Sequence, residues 1–206
     1  MVQGARFWDR LAKRYSKKPV ADEAAYQKKL EVTRKYFRPD MEVLEFGCGT
    51  GSTAIAHAPF VKHIRATDIS SAMIEIGKGK AEDANIENVT FEQATIEDID
   101  VAAESVDAVL GLSVLHLIED WEGAIDRVHA MLAPGGVFVS NTVCLGDNMK
   151  WFRFIGPVGR FLGLMPLVRV FSERELTDRL TRAGFEIDHQ WRVDKTVVFI
   201  VAKKAV

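Results

Sequence analysis

The chain has 206 residues, 48% hydrophobic and 27% charged, with a formal net charge of −2. That length supports one globular domain with a full core, and the balanced charge excludes wholesale attraction to nucleic acid or an anionic membrane. The two cysteines, Cys48 and Cys144, form no disulfide framework, which predicts a reduced, cytoplasmic protein.

The N-terminus mixes charges with Phe7 and Trp8 and lacks the apolar core of a signal peptide. Phe7, Trp8, Leu11, Ala12 and Tyr15 recur at helical spacing, which predicts an amphipathic helix over residues 5–15. A second helix is expected from Asp22 to Phe37, with Pro39 as its stop. Both precede the sheet. They either pack on its edge or form a lid made of residues 1–38, with Tyr15 and Tyr26 facing a ligand.

Val43-Leu44-Glu45-Phe46-Gly47-Cys48-Gly49-Thr50-Gly51 reads as a buried strand, a glycine turn and the opening of a helix. Such a unit makes a ligand cradle at the carboxyl edge of an open sheet. The following helix is expected over Ser52–Ala58, ended by Pro59. His63–Thr67 predicts a second strand closing on Asp68, and Ser70 is placed to cap the next helix. Strands are expected at Val89–Ala94, Ser105–Leu110 and Val137–Val143, the last entered through a Pro134-Gly135-Gly136 turn. Trp121, Ile125, Val128 and Leu132 mark one helix face between them.

Ser172-Glu173-Arg174-Glu175 is a capping-box pattern, and Gly184 suits the C-terminal end of its helix. Two strands then follow, Phe185–Arg192 and Thr196–Ala202, with too short a link for anything but an antiparallel pair. The expected fold is therefore α/β: a Rossmann-like, doubly wound, mostly parallel seven-stranded sheet ending in an antiparallel hairpin, with extra N-terminal helices.

Asp68 lies 19 residues beyond Gly49, where an acid accepts hydrogen bonds from the ribose of a bound nucleoside. NAD and S-adenosylmethionine both present that ribose. Against a dinucleotide stand Ser52 in place of the third glycine and Glu45, a carboxylate that repels a pyrophosphate but tolerates an ammonium or sulfonium. The terminal hairpin is also foreign to the dinucleotide fold.

Residues 43–51, Ala66-Thr67-Asp68-Ile69-Ser70, Val106 through His116, and Met131 through Gly136 resemble, in order, the motifs of class I S-adenosylmethionine-dependent methyltransferases. Within that class the chain looks most like the ubiquinone/menaquinone-type small-molecule enzymes. The resemblance implies S-adenosyl-L-methionine as cofactor and a single domain: an N-terminal lid (1–38), a cofactor core (39–143), an acceptor cap (144–171), and a final helix with the hairpin (172–206). It implies that Phe46, Gly47 and Gly49 line the methionine part, that Asp68 holds the ribose, and that Ile69 and Met73 pack on ribose and adenine. Tyr15 and Ile96 join the cofactor set, and Leu112 offers backbone beside the methyl. Where the family commonly has Gly-Asp against the adenine, this chain has Ala94-Thr95, so Thr95 is left as an uncharged acceptor.

In-line transfer from a sulfonium needs alignment above all, and a base only if the acceptor carries a proton. His116, after the fourth strand, is the candidate base; its apolar neighbours Leu115, Leu117 and Ile118 favour a structural role. No residues have metal-ligand spacing, so no metal is expected. The absence of an Asn/Asp-Pro-Pro-aromatic motif and of a basic stripe argues against nucleic acid. A small acceptor is expected, apolar or lipid-like. The insertion Met149–Phe171 bears Trp151, Phe152, Phe154, Phe161, Leu162, Leu164 and Met165 with Lys150, Arg153, Arg160 and Arg169. It reads as a packed helix, an acceptor cap, or a peripheral membrane contact. The alternatives to a methyltransferase are a nicotinamide-dependent oxidoreductase and a non-catalytic S-adenosylmethionine-binding protein.

Overall fold

A computed structural model describes residues 2–149, 151–161, 163 and 165–206. The expectations that fell on Lys150, Leu162 and Leu164, and on the side chain of Phe154, lie outside the described residues.

Seven strands form one sheet: β1 (Glu42–Phe46), β2 (His63–Asp68), β3 (Val89–Gln93), β4 (Val106–Leu112), β5 (Leu132–Val143), β6 (Phe185–Arg192) and β7 (Val197–Lys204). Their order is β3-β2-β1-β4-β5-β7-β6. β1 pairs in parallel with β2 and β4, and β2 with β3. β7 runs antiparallel to both β5 and β6. The mostly parallel sheet closing in a hairpin is thus observed as the sequence predicts.

By its contacts the chain divides into two compact units, one of residues 1–100 with 106–110, the other of residues 101–105 with 111–206. In the first, Leu44, Phe46, Ile64 and Met73 are fully buried around β1 and β2. Helices α1 (Val2–Ser16) and α2 (Glu23–Arg34) precede the sheet, and α3 (Ser52–His57) and α4 (Ser71–Asp83) follow β1 and β2. The side chain of Asp22 caps α2 and that of Ser70 caps α4, each accepting an N–H of the first turn. α3 ends ahead of Pro59 as the sequence predicts, with Ala58 as its cap, and a 3-10 turn at Ala58–Phe60 follows, where a proline near the start loses no internal hydrogen bond. Gly51 and Gly77 have a different reason to lack a side chain. A Cβ on either would come within 2.5 Å and 2.7 Å of the Phe91 ring.

In the second unit, Phe138, Phe199, Ile125, Leu132 and Leu176 form the core. It holds α5 (Trp121–Met131), α6 (Phe152–Phe161) and α7 (Glu173–Arg182). The capping box is complete: Ser172 Oγ accepts the Glu175 N–H and the Glu175 carboxylate accepts the Ser172 N–H. Gly184 takes φ +96°, as its place after α7 requires. Two boundaries differ from expectation. β5 begins at Leu132, so Pro134-Gly135-Gly136 falls inside the strand's bounds rather than before it, although Gly135 keeps a turn-like φ of +76°. Ladder pairing with β7 starts only at Val137, and ahead of that point a proline costs no pairing N–H. β4 runs on past the expected end at Leu110, so that Leu112 is its last residue rather than lying just beyond the strand.

Candidate active site

In the first unit the strand β1 delivers Glu45 to the sheet's carboxyl edge, and the turn after it uses three left-handed glycines, Gly47, Gly49 and Gly51 at φ +65°, +55° and +72°. A residue with a Cβ is strained there. The turn is pinned to β2: Cys48 N–H donates to Thr67 O at 2.9 Å, and Gly49 N–H donates to Asp68 Oδ2 at 2.9 Å. Ser70 N–H donates to the other oxygen of Asp68, also at 2.9 Å. The Asp68 carboxylate is therefore fixed by one backbone donor per oxygen, with a lone pair on each left for a ligand. Burial pushes its pKa up, and the backbone N–H groups of Ser70, Gly49 and Ile69 oppose that shift.

Glu45 is 2% exposed, and its Oε2 is buried without a partner. Burial, with the Asp68 carboxylate adding to it, raises its pKa to about 8. A buried carboxyl with an orphaned oxygen calls for a donor or a positive charge.

Three cofactor candidates lie next to these residues in the chain or in the following helix. Phe46 is buried in β1, and Met73 is 2% exposed in the first turn of α4. Ile69 follows Asp68, where a Cβ on Gly4 of α1 would lie 3.3 Å from its Cδ1. Tyr15, half-exposed at the end of α1, places its ring edge 3.9 Å from where a Gly49 Cβ would be. Tyr26 is turned to Thr53 instead, with its hydroxyl 3.5 Å from Thr53 Oγ1. Past β3, Ile96 is buried, and the Thr95 hydroxyl is already engaged: it donates to Asp98 Oδ2 at 3.0 Å and accepts the Asp98 N–H at 3.1 Å. Only one lone pair of Thr95 remains for a ligand.

The sequence reading passed over Asp9. Its carboxylate accepts Ser70 Oγ–H at 2.6 Å and the Ala72 N–H at 3.2 Å, at the start of α4. The only signal in the sequence was an acid on a helix otherwise rich in basic residues. Lys80 also reaches the glycine turn, donating to Thr50 Oγ1 at 2.8 Å and Ser52 Oγ at 3.0 Å.

The second unit carries Leu112 and His116. His116 sits in a 3-10 turn, Leu115–Leu117, 9% exposed, with its Nδ1 unpartnered and its pKa lowered to about 4 by burial. Arg169 fastens the chain before α7 to this turn, donating its N–H to His116 O at 2.7 Å and its Nε–H to Glu119 O at 2.9 Å. Ser113 takes φ +60° and donates its N–H to Asn141 O at 2.6 Å, while Asn141 Nδ2 donates to Ser113 Oγ at 2.9 Å. Asn141 Oδ1 is buried without a partner. Nothing in the sequence marked this pair. On α6 and its approach, Trp151 (53%), Ile155 (48%) and Phe161 (89%) are exposed.

A glycine turn locked to an acid at the end of the next strand, in a mostly parallel sheet closed by a hairpin, defines the class I methyltransferase architecture. The chain belongs to the methyltransferase-domain family, whose family model matches residues 19–190. It carries an S-adenosylmethionine-dependent domain of that family, similar to the quinone-type enzymes. It is 30% identical to the methyltransferase YcgJ of Bacillus subtilis over 102 residues, half of this chain and 40% of that one. It is 28% identical to the demethylmenaquinone methyltransferase of Porphyromonas gingivalis over 164 residues, 69% of this chain and 67% of that one. The matches span about two fifths of the length of the first curated relatives. Among solved structures, the geranyl diphosphate C-methyltransferase of Streptomyces coelicolor superposes with a TM-score of 0.75 at 15% identity, covering 99% of this chain and 97% of that one. That likeness establishes the fold.

Proposed function

We propose that the protein transfers the methyl group of S-adenosylmethionine to a small, apolar or lipid-like acceptor. The observation that carries the cofactor side is Asp68, oriented by Gly49 N–H and Ser70 N–H beside a buried, underpartnered Glu45. The bound cofactor supplies an electrophilic methyl on a sulfonium. Asp68 accepts its ribose hydroxyls, and Glu45 offsets the positive charge of its amino-acid end. Phe46, Gly47 and Gly49 line that end; Ile69, Met73 and Ile96 give the nucleoside apolar contact, and Thr95 supplies one acceptor. Tyr15 belongs to a lid formed by the N-terminal helices. Leu112 offers backbone near the methyl.

His116 has the proton-accepting role where the acceptor needs one. Neutral at pH 7 because burial lowers its pKa to about 4, it holds a proton weakly and so serves acceptors that are themselves acidic. The acceptor side is supported by two observations. Quinone-type methyltransferases are among the relatives, and the 149–171 segment presents exposed Trp151, Ile155 and Phe161. That segment has four basic and no acidic residues, which suits peripheral contact with an anionic bilayer. Among the described residues, no helix is long and apolar enough to cross a membrane.

The test is formation of S-adenosylhomocysteine from S-adenosylmethionine with demethylated quinol analogues and with water-soluble phenols of matched acidity. Turnover of the quinol analogues supports the reading. Stabilisation by S-adenosylhomocysteine with no turnover of any acceptor would leave a silent binding protein, and stabilisation by NAD alone would make it an oxidoreductase. Vesicles of phosphatidylcholine with anionic phosphatidylglycerol test the membrane contact by flotation. Equal absence from both zwitterionic and anionic vesicles would sink it.

A further inference from the structure

Three contacts of helix α1 with the rest of its unit bear on the cradle. Near its start, the backbone of Gly4 is so close to Ile69 that a Cβ would lie 3.3 Å from Ile69 Cδ1. At its middle, Asp9 bonds Ser70 Oγ at 2.6 Å and Ala72 N at 3.2 Å. Toward its end, the Tyr15 ring stands over Gly49. From residue 4 to residue 15 a helix rises about 16 Å. It therefore runs from the loop after β2 to the glycine turn, over the two backbone segments that clasp Asp68. The Trp8 ring braces Tyr15 edge-on, with centroids 6.4 Å apart.

Of the three contacts only Asp9 is ionic. It meets Ser70, which is fully buried and simultaneously caps α4 through its Oγ, accepting Met73 N–H at 3.2 Å. The same Ser70 donates its backbone N–H to Asp68. Asp9 and Asp68 thus share Ser70: Asp9 accepts from its hydroxyl and Asp68 from its backbone N–H.

We propose that Asp9 is a positioning residue, a latch that holds α1 across the cofactor cradle through Ser70 and Ala72, so that cofactor exchange runs through undocking of this helix. This rests on the reading that the cradle holds S-adenosylmethionine. A ligand on Asp68 stiffens the Asp68–Ser70 loop and with it the docking site for Asp9, and by reciprocity a docked α1 slows ligand escape. Undocking also strips α4 of the carboxylate at its N-terminus, so the open state is the less stable one. Apolar packing, with Ala12 fully buried, also holds the helix, but Asp9 is the one acid among the six basic residues from position 6 to position 18.

Those basic residues make the docking directly readable by trypsin. Full-length protein is digested with and without saturating S-adenosylhomocysteine, and cleavage between residues 6 and 18 is followed by mass spectrometry. Dissociation of the same ligand is measured by stopped flow. The expected result is ligand protection of this segment in the wild type, loss of that protection in Asp9→Ala, and about tenfold faster dissociation, as removal of a charged hydrogen bond implies. Asp9→Asn keeps an oxygen acceptor and returns part of the protection, while the unliganded melting temperature of each variant reports separately on folding. Ligand binding with no change in cleavage of α1, or Asp9→Ala indistinguishable from wild type in both protection and dissociation, would overturn the latch. Failure of the wild type to bind S-adenosylhomocysteine at all would instead overturn the reading of the cradle.

Discussion

Replacing Glu45 with glutamine separates what this carboxyl does to stability from what it does to binding. The folded chain keeps Glu45 protonated up to pH about 8, against an ordinary value of 4.5, because the side chain is buried and Asp68 is near. Between those values the native state binds one more proton than the unfolded chain, so stability falls as pH rises. The contribution is fully present below pH 4.5 and is lost as pH passes through 8. At about 1.4 kcal/mol per pH unit the loss reaches about 3 kcal/mol by pH 7. Glu45→Gln removes that slope, so urea midpoints of variant and wild type should match near pH 5 and separate progressively toward pH 8, with the variant more stable. If a cationic ligand group settles beside Glu45, the carboxyl releases its proton on binding. Calorimetry of S-adenosylmethionine at pH 7 in phosphate and in Tris should then show up to about one proton released by the wild type and none by Glu45→Gln. Parallel pH–stability curves, or equal proton release in both proteins, would refute the assignment of Glu45 as a buried, neutral acid that ionises for the ligand.

The other predictions are narrower. Asp68→Ala should weaken S-adenosylhomocysteine binding by about 1–3 kcal/mol in the same calorimetry. Gly77→Ala, which on an open helix face would stabilise, should instead destabilise by about 1–3 kcal/mol, because its Cβ meets the Phe91 ring; combining it with Phe91→Leu should recover part of the loss in urea melts. His57 is fully buried with both ring nitrogens unpartnered, and burial lowers its pKa to about 3 from 6.5. Stability is therefore lost as pH falls from 6.5 toward 3, and His57→Leu should flatten that acid limb in thermal melts. His116→Gln should cut kcat on acidic acceptors and leave S-adenosylhomocysteine affinity unchanged; full activity would remove it from the chemistry.

The parts of the fold legible in the sequence are those written by short-range rules. The strand–glycine turn–helix at 43–52, the capping box at Ser172 and the terminal hairpin each depend on residues within a few positions of one another, and each is observed where expected. Pro59 ends α3 as expected, directly after its cap at Ala58, whereas Pro134, expected in a turn before β5, falls inside the strand's bounds ahead of the β5–β7 ladder, where its missing N–H is not needed. What could not be read are polar contacts between residues far apart in the chain. Asp9 bonds a hydroxyl 61 residues away, and Asn141 bonds Ser113 from 28 residues away; no periodicity encodes such partners. Thr95 shows the opposite limit, since its identity was plain while its hydroxyl turned out to be engaged by Asp98.

The strand order has a consequence for how the chain is made. β7, the last strand along the sequence, lies inside the sheet between β5 and β6. During synthesis β5 emerges long before the partner that covers its open side, since Val137 pairs with Lys203. Until residues 197–203 have emerged from the ribosome, Val137, Phe138 and Val139 lack their antiparallel partners. That interval is when a nascent chain of this design is most exposed to chaperones and to its neighbours on the same message.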